Sequence, residues 1–158
     1  MKKIILSLLL AAVSLGASAQ FEQGTKYVGA SLTGLGFGYS KSTDFYIGMK
    51  ANAGYFVSDG WMLLGEFGWE HQNGTSCVGL GVAGRYYLQQ NGLYFSGALK
   101  YKHFGPKTNV VYLTTEVGYC FYLNDHVSLE PAIFCDFALN EFKDFTKIGL
   151  KVGFSYYF

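Results

Sequence analysis

The last segment of the chain alternates strictly between two kinds of residue. From Ile148 to Phe158 every even position is apolar, whereas the odd positions from Lys147 to Tyr157 carry lysine, glycine, serine or tyrosine. A period of two is that of a β-strand, because successive side chains point to opposite faces of a sheet. The pattern therefore predicts a terminal strand with one wholly apolar face and an aromatic residue at its end.

The same alternation recurs along the chain after residue 20. Residues typical of turns divide it into eight predicted strands, at 26–37, 45–57, 61–71, 77–88, 93–104, 110–123, 126–139 and 145–158. Tight hairpin turns at 58–60, 89–92 and 124–125 alternate with longer connections at 38–44, 71–76, 105–109 and 140–144. Consecutive hairpins of this kind predict an all-β, antiparallel, up-and-down meander.

The first residues have the features of a secretory signal. Lys2 and Lys3 precede an apolar run at 4–13, and Ala17-Ser18-Ala19 supplies the small residues of a cleavage site. A run of about ten apolar residues is too short to cross a bilayer as a helix. We therefore expect a signal peptide at 1–19, removed by cleavage, and one barrel domain at 20–158.

The distribution of charge decides which face of the sheet is inside. From the second strand onward, one face is apolar, and the opposite face carries Lys50, Glu66, Glu70, Arg85, Lys100, Lys102, Glu116, Glu130, Asp136, Lys147 and Lys151. An eight-stranded barrel has too little interior for the bulky apolar set. We therefore predict a transmembrane barrel with apolar side chains toward lipid and charges in the lumen. The alternative is a soluble lipocalin-like barrel or sandwich.

Composition narrows the classes of protein that fit this pattern. After the signal no apolar run approaches the length of a membrane helix, and a net charge of +1 argues against nucleic acid as a partner. There are three cysteines, Cys77, Cys120 and Cys135. Because the alternation turns Cys120 inward and Cys135 outward, that pair cannot bridge, and we expect no structural disulfide.

With this pattern, the chain resembles the small eight-stranded outer-membrane barrels of the OmpA/OmpX type. The resemblance implies a monomer in the outer membrane of a Gram-negative-type bacterium, in contact with outer-membrane lipid. It also implies assembly by the periplasmic chaperones and the barrel assembly machinery. The terminal strand, with Tyr156 and Phe158 on its apolar face, would be the assembly signal. The resemblance does not specify a function, because many functions share this fold.

The inward charges predict a salt-bridge network that fills the lumen. Its members are Lys50, Glu66, Arg85, Lys100, Glu116, Glu130, Asp136, Lys147 and Lys151. Opposite charges on neighbouring strands favour the pairs Lys50–Glu66 and Lys100–Glu116, and they place Glu130 and Asp136 beside Lys151 and Lys147. We interpret the network as structural, since an unpaired buried charge is costly. A gated ion path is the alternative.

Three motifs suggest catalysis or ligand binding, and none is convincing. Gly79–Gly84 matches G-x-G-x-x-G but lies within a strand, so it is not a dinucleotide site. His126 and Ser128 resemble the His-x-Ser pair of lipid A deacylases, but His126 lies at a tight turn, hence at the periplasmic end. His71 and His103 near the loop rim have no third metal ligand. We expect no catalytic residue, metal or cofactor.

The sequence therefore favours a non-enzymatic barrel with a role in envelope integrity or surface interaction. The alternatives are a lipid-modifying enzyme, similar to a deacylase or a palmitoyltransferase, and a small gated channel. A palmitoyltransferase needs an apolar cavity for an acyl chain, which the charged lumen disfavours. Pro131 leaves one ladder hydrogen bond unmade, which marks either a bulge or a lateral opening, and a bulge is favoured.

Overall fold

The computed structural model describes residues 21–38, 46–72, 74–88, 91–104, 108–139 and 147–158. The expected signal peptide lies outside these residues. The strands are β1 (Lys26–Gly38), β2 (Tyr46–Ser58), β3 (Trp61–Gln72), β4 (Thr75–Tyr87), β5 (Leu93–Phe104), β6 (Thr108–Tyr119), β7 (Phe121–Tyr122), β8 (Val127–Ala138) and β9 (Lys147–Tyr157). In the described ranges there is no helix with the length and apolarity needed to cross a membrane.

The strands close into a barrel. From β1 to β6 each strand pairs antiparallel with the next, β8 pairs with β9, and β9 pairs back onto β1. The circle is completed by pairing of β8 with β6 and with the two-residue strand β7, which continues β6 beyond Cys120. The predicted eight-stranded antiparallel barrel is therefore confirmed.

One connection is tighter than the alternation predicts. The predicted loop at 71–76 is mostly strand, because His71 pairs with Ser76 and Gln72 pairs with Thr75. Gly74 has a φ of 78°, a conformation that glycine adopts without strain. The polar side chains of His71 and Ser76 bond to each other across the hairpin at 3.2 Å.

The strand predicted at 110–123 is interrupted, and the cause is Pro131. The β6–β8 ladder ends at Gly118 opposite Ala132, and pairing resumes at Phe121 opposite Leu129. Two residues separate these pairs on each strand, so no residue is inserted and the register is unchanged. Pro131 has no N–H to donate to this ladder. The expectation of a bulge is wrong: Pro131 leaves a gap in the hydrogen bonding of this seam.

The two faces of the sheet have opposite character, as the alternation predicts. Leu80 and Val82 on the outer face are 62% and 66% exposed, whereas Arg85 on the inner face is 1% exposed. A water-soluble protein shows the reverse arrangement. Small inner residues make room for larger ones on the neighbouring strand. A side chain on Gly118 would collide with the phenol of Tyr94, its partner in the β5–β6 register. The outer face is therefore a lipid-facing surface.

The orientation of the faces predicts the effect of a charge on the outer surface. Leu80 lies in the middle of β4 on this surface, where lysine costs roughly 2–4 kcal/mol in a lipid bilayer. Leu80→Lys should lower the free energy of unfolding by that amount, measured by reversible refolding into lipid vesicles. Leu80→Met, which keeps an apolar side chain of similar size, is the matched control and should change little. Equal stability of the two variants would mean that the faces are inverted.

Candidate functional site: the charged lumen

The inner face of the barrel carries two clusters of buried charge. We define the turn end as the end with the 58–60 and 123–126 turns and the C-terminal residue, and the loop end as the opposite one. The turn-end cluster consists of Arg85, Glu116, Glu130 and Lys151. The loop-end cluster consists of Lys50, Glu66, Glu70, Lys100, Lys102, Asp136 and Lys147.

Arg85 is the centre of the turn-end cluster. Its Nη1 lies 2.9 Å from Glu130 Oε2 and donates to the Tyr87 hydroxyl at 3.0 Å. Its Nη2 lies 3.7 Å from Glu116 Oε1. The guanidinium carbon lies 4.1 Å from the centroid of the Tyr94 ring, which adds a cation–π contact. The planar guanidinium thus connects two carboxylates inside a shell of phenols.

Both carboxylates of this cluster have several hydrogen-bond donors. Glu130 Oε1 accepts from Tyr157 at 2.8 Å and from Ser128 at 3.2 Å, and its Oε2 accepts from Tyr27 at 3.1 Å. Lys151 Nζ donates to both carboxylate oxygens of Glu116, each at 2.6 Å. Charge-assisted hydrogen bonds of this kind offset the cost of removing the ions from water.

The loop-end cluster is organised around Glu70. Lys102 donates to both Glu70 oxygens, at 2.9 and 3.0 Å, and Lys147 donates to Oε2 at 3.1 Å. Asp136 accepts from the Thr114 hydroxyl at 2.6 Å and from Lys102 at 3.4 Å. A cavity lined by Lys50, Glu66, Glu70, Lys100 and Lys102 has a volume of about 20 Å³, enough for one water molecule.

All nine residues of the predicted network lie on the inner face, but most of them have other partners than predicted. Lys100 is 3.0 Å from Glu66, whereas Glu116 is held by Lys151 and Glu130 by Arg85. The strand register explains the difference. The residue opposite Lys50 is Gly68, and the residue opposite Lys100 is Tyr112, so neither faces the predicted glutamate.

The remaining partners follow from the reach of the side chains across the narrow lumen. Lys50 lies 3.9 Å from Glu70 rather than beside Glu66. Asp136 lies directly opposite Lys147 in the β8–β9 register, as predicted, but its ion pair is with Lys102, and Lys147 pairs with Glu70. Glu70 and Lys102 are assigned to the inner face by the alternation but omitted from the predicted network. The alternation of inward and outward positions in β3 and β5 already places both residues on the inner face, and this signal was sufficient to include them in the network.

Aromatic side chains close the lumen at the turn end. Phe21 is 3% exposed and stacks on Tyr87 with ring centroids 4.1 Å apart. Its carbonyl accepts a hydrogen bond from the Gly60 amide at 2.8 Å, which fixes the segment before β1 across the barrel end. Phe56 and Tyr157 complete this cluster, the aromatic plug. No periodic pattern marks Phe21, so the alternation does not predict its position in the plug.

These features agree with the relationship found by sequence comparison. The chain matches the outer membrane protein beta-barrel domain family over residues 5–158. It is a member of that family. The predicted resemblance to small bacterial outer-membrane barrels is therefore confirmed. No functionally curated protein matches the chain significantly.

Solved structures of other outer-membrane barrels share the fold of this family member. The N-terminal β-barrel domain of Pseudomonas aeruginosa OprF is similar with a TM-score of 0.69 at 14% identity, over 86% of this chain and 98% of that one. Neisserial surface protein A gives a TM-score of 0.64 at 14% identity, over 90% and 99%. Yersinia pestis Ail gives 0.55 at 12% identity, over 86% and 100%. At these identities the likeness concerns the fold alone.

The two residues of the deacylase-like motif do not contact each other in this outer-membrane barrel. Ser128 is fully buried and donates to Glu130, while the His126 ring is exposed and its Nδ1 lies 3.0 Å from the carbonyl oxygen of Tyr157. The serine thus belongs to the turn-end cluster, and the histidine holds the last strand. No His–Ser hydrogen bond is formed between them within the described residues.

The other chemical candidates also have structural partners. His71 bonds to Ser76 on the neighbouring strand, and the Nδ1 of His103 lies 2.6 Å from Asn109 Oδ1. Within the described ranges, no three histidine, cysteine or acidic residues are grouped to hold a metal ion. The three cysteines are free thiols.

The terminal strand has the geometry that the sequence predicts. Tyr156 and Phe158 are 46% and 56% exposed on the lipid-facing side, and Tyr156 lies opposite Val28 on β1 and Val127 on β8. The strand therefore closes the barrel. Its role as an assembly signal stays a prediction.

Proposed function

We propose that this chain is a non-enzymatic, monomeric barrel that supports envelope integrity or surface interaction in the outer membrane of a Gram-negative-type bacterium. One observation carries the proposal: the lumen is filled. Arg85 is bound to Glu130 at 2.9 Å, and on the turn-end side of this pair the rings of Phe21 and Tyr87 are stacked. A barrel with such an interior acts through its surfaces.

The proposed partners follow from those surfaces. The apolar outer face is suited to outer-membrane lipid. The closing strand β9, with the aromatic side chains of Tyr156 and Phe158 exposed on the lipid-facing side, is suited to the barrel assembly machinery, and the periplasmic chaperones would carry the chain before it folds. We propose no nucleic acid partner, because the net charge of the chain is only +1.

The geometry argues against the two enzymatic alternatives. A deacylase-like mechanism needs a histidine that removes the proton from a serine, but Ser128 Oγ donates to a carboxylate that Arg85 already holds. A palmitoyltransferase-like mechanism needs an apolar chamber for an acyl chain, and here buried ion pairs occupy the corresponding space. No cofactor is required by either cluster.

One observation favours a small gated channel as the second candidate. Arg85 binds Glu130 and also lies 3.7 Å from Glu116, which Lys151 holds more closely. A guanidinium between two carboxylates could exchange partners and change the packing of the lumen. In this candidate the charged clusters would line a water path in a minor open state.

Genetic complementation tests the proposal against an enzymatic role. A strain without this protein should be more sensitive to detergents and bile salts, and the wild-type gene should restore resistance. Ser128→Ala and His126→Ala should restore it equally well at matched amounts of folded protein. Loss of complementation by either variant at normal folded levels, together with a changed lipid A profile, would support an enzyme instead.

A further inference from the structure

The loop-end cluster has an excess of positive charge. In the described part of the chain it contains four lysines (Lys50, Lys100, Lys102 and Lys147) and three carboxylates (Glu66, Glu70 and Asp136). All seven side chains are at most 14% exposed. The turn-end cluster is balanced, with two cations and two carboxylates. Among the described residues, the excess of one cation therefore belongs to the loop-end cluster.

Lys50 is the cation with the weakest partner. The nearest carboxylate oxygen is Glu70 Oε1 at 3.9 Å, and Lys102 already donates to that oxygen at 2.9 Å. The Lys50 ammonium also lies 4.8 Å from the centroid of the Phe134 ring. By contrast, Lys100 has Glu66 at 3.0 Å. Lys50 is therefore a buried ammonium whose charge the described residues compensate poorly.

Unpartnered polar groups line the barrel wall beside Lys50. The Oγ of Ser31, the Oγ1 of Thr33 and the Oδ1 of Asn52 are buried and form no hydrogen bond with the described residues. Ser31 lies directly opposite Lys50 in the β1–β2 register, and Thr33 lies opposite Gly48. The three side chains are at most 5% exposed. Buried polar groups without a partner are rare, and an ordered water molecule or an ion commonly satisfies them.

The direction of the Thr33 hydroxyl supports this interpretation. A Cβ atom on Gly48 would lie 2.5 Å from Thr33 Oγ1 and 2.8 Å from the Cγ atom of Glu70. The hydroxyl therefore leans over Gly48 toward the loop-end cluster, in the space that the absent side chain leaves. Glycine at 48 permits this approach of the β1 wall to Lys50 and Glu70.

We propose that Lys50, with the Ser31 and Thr33 hydroxyls, binds a monovalent inorganic anion of the size of chloride. Ammonium and hydroxyl groups are both donors, and a halide accepts from all three. A water molecule alone would satisfy the hydroxyls but leave the extra charge. The bound anion neutralises the cluster, and it does not require ions to pass through the barrel.

Bromide in place of chloride gives a direct test. Crystals of the full-length mature barrel grown in sodium bromide should show one anomalous peak inside the lumen, within hydrogen-bond distance of Lys50 Nζ. Lys50→Met should remove the peak. Lys26→Met, which removes a lysine near the Phe158 ring at the turn end of the barrel, should keep it. Peaks only at exposed lysines, that is, an adventitious ion only, would overturn the proposal.

A second readout uses stability and does not depend on crystals. Above saturation of the site, a tenfold rise in bromide should raise the folding equilibrium constant of the wild type about tenfold. Thr33→Val, which removes one hydroxyl, should shift this dependence to higher bromide concentration. For the Lys50→Met barrel, bromide should change the folding equilibrium constant no more than a large anion does at the same ionic strength. An identical bromide response of wild type and Lys50→Met would contradict the proposal.

Discussion

Arg85→Met should lower the free energy of unfolding by about 3–5 kcal/mol, because it leaves the buried Glu130 carboxylate without its cation. Arg85 is 1% exposed, and Glu130 lies 2.9 Å from its Nη1. The substitution also removes the second cation near Glu116 and the contact with the Tyr94 ring. Urea-dependent refolding into lipid vesicles measures the change.

Two further variants separate charge from geometry at this position. Arg85→Lys keeps the charge but cannot bind Glu130, Tyr87 and Glu116 with one planar group, so its loss should be intermediate. Adding Glu130→Gln to Arg85→Met should restore part of the stability, because the pair is then replaced rather than broken. If the double variant loses the sum of the two single losses, Arg85 and Glu130 do not interact in the membrane.

Glu116→Gln should destabilise the barrel by on the order of 3 kcal/mol, since it leaves the Lys151 ammonium buried without a carboxylate. Both Glu116 oxygens lie 2.6 Å from Lys151 Nζ, and Glu116 Oε1 also accepts from the Tyr94 hydroxyl at 3.0 Å. The glutamine keeps the shape of the side chain, so the loss reports the charge. The same refolding assay applies.

The partner of Glu116 can be identified with a matched pair of double variants. Glu116→Gln combined with Lys151→Met should recover much of the loss. Glu116→Gln combined with Lys100→Met should not, because Lys100 belongs to Glu66 at 3.0 Å. Recovery with Lys100→Met and not with Lys151→Met would show that the network has the pairing suggested by strand order instead.

The architecture could be predicted from the sequence because one physical constraint acts at every second residue. Lipid excludes charged side chains from the outer face, and the narrow lumen excludes most bulky apolar side chains from the inner face. The alternation of residue types along β2 to β9 follows from these two constraints. The inner positions of Lys50, Arg85 and Glu130 follow from that parity alone. The same parity assigns Cys120 to the inside and Cys135 to the outside.

The pairing inside the lumen could not be predicted in the same way. Side-chain parity gives the face of a residue, but the pair partner depends on strand register and on reach across the barrel. Lys151 reaches Glu116, although these residues lie on strands that are not neighbours. The position of Phe21 could not be predicted, because a single aromatic residue before the first strand has no period. Pro131 is visible in the sequence as a residue that leaves one ladder hydrogen bond unmade. The sequence could not predict that the register of β8 is the same on both sides of it.

Conductance in planar lipid bilayers tests the central claim, a closed and charge-filled lumen, most directly. The purified wild-type barrel, inserted at a density verified by protein assay, should give no steady conductance above that of the bare bilayer. A large general porin inserted under the same conditions is the positive control. A steady, ion-selective conductance of the wild type, with a selectivity that Glu116→Gln changes, would show that the charged clusters line a water path and would contradict the account.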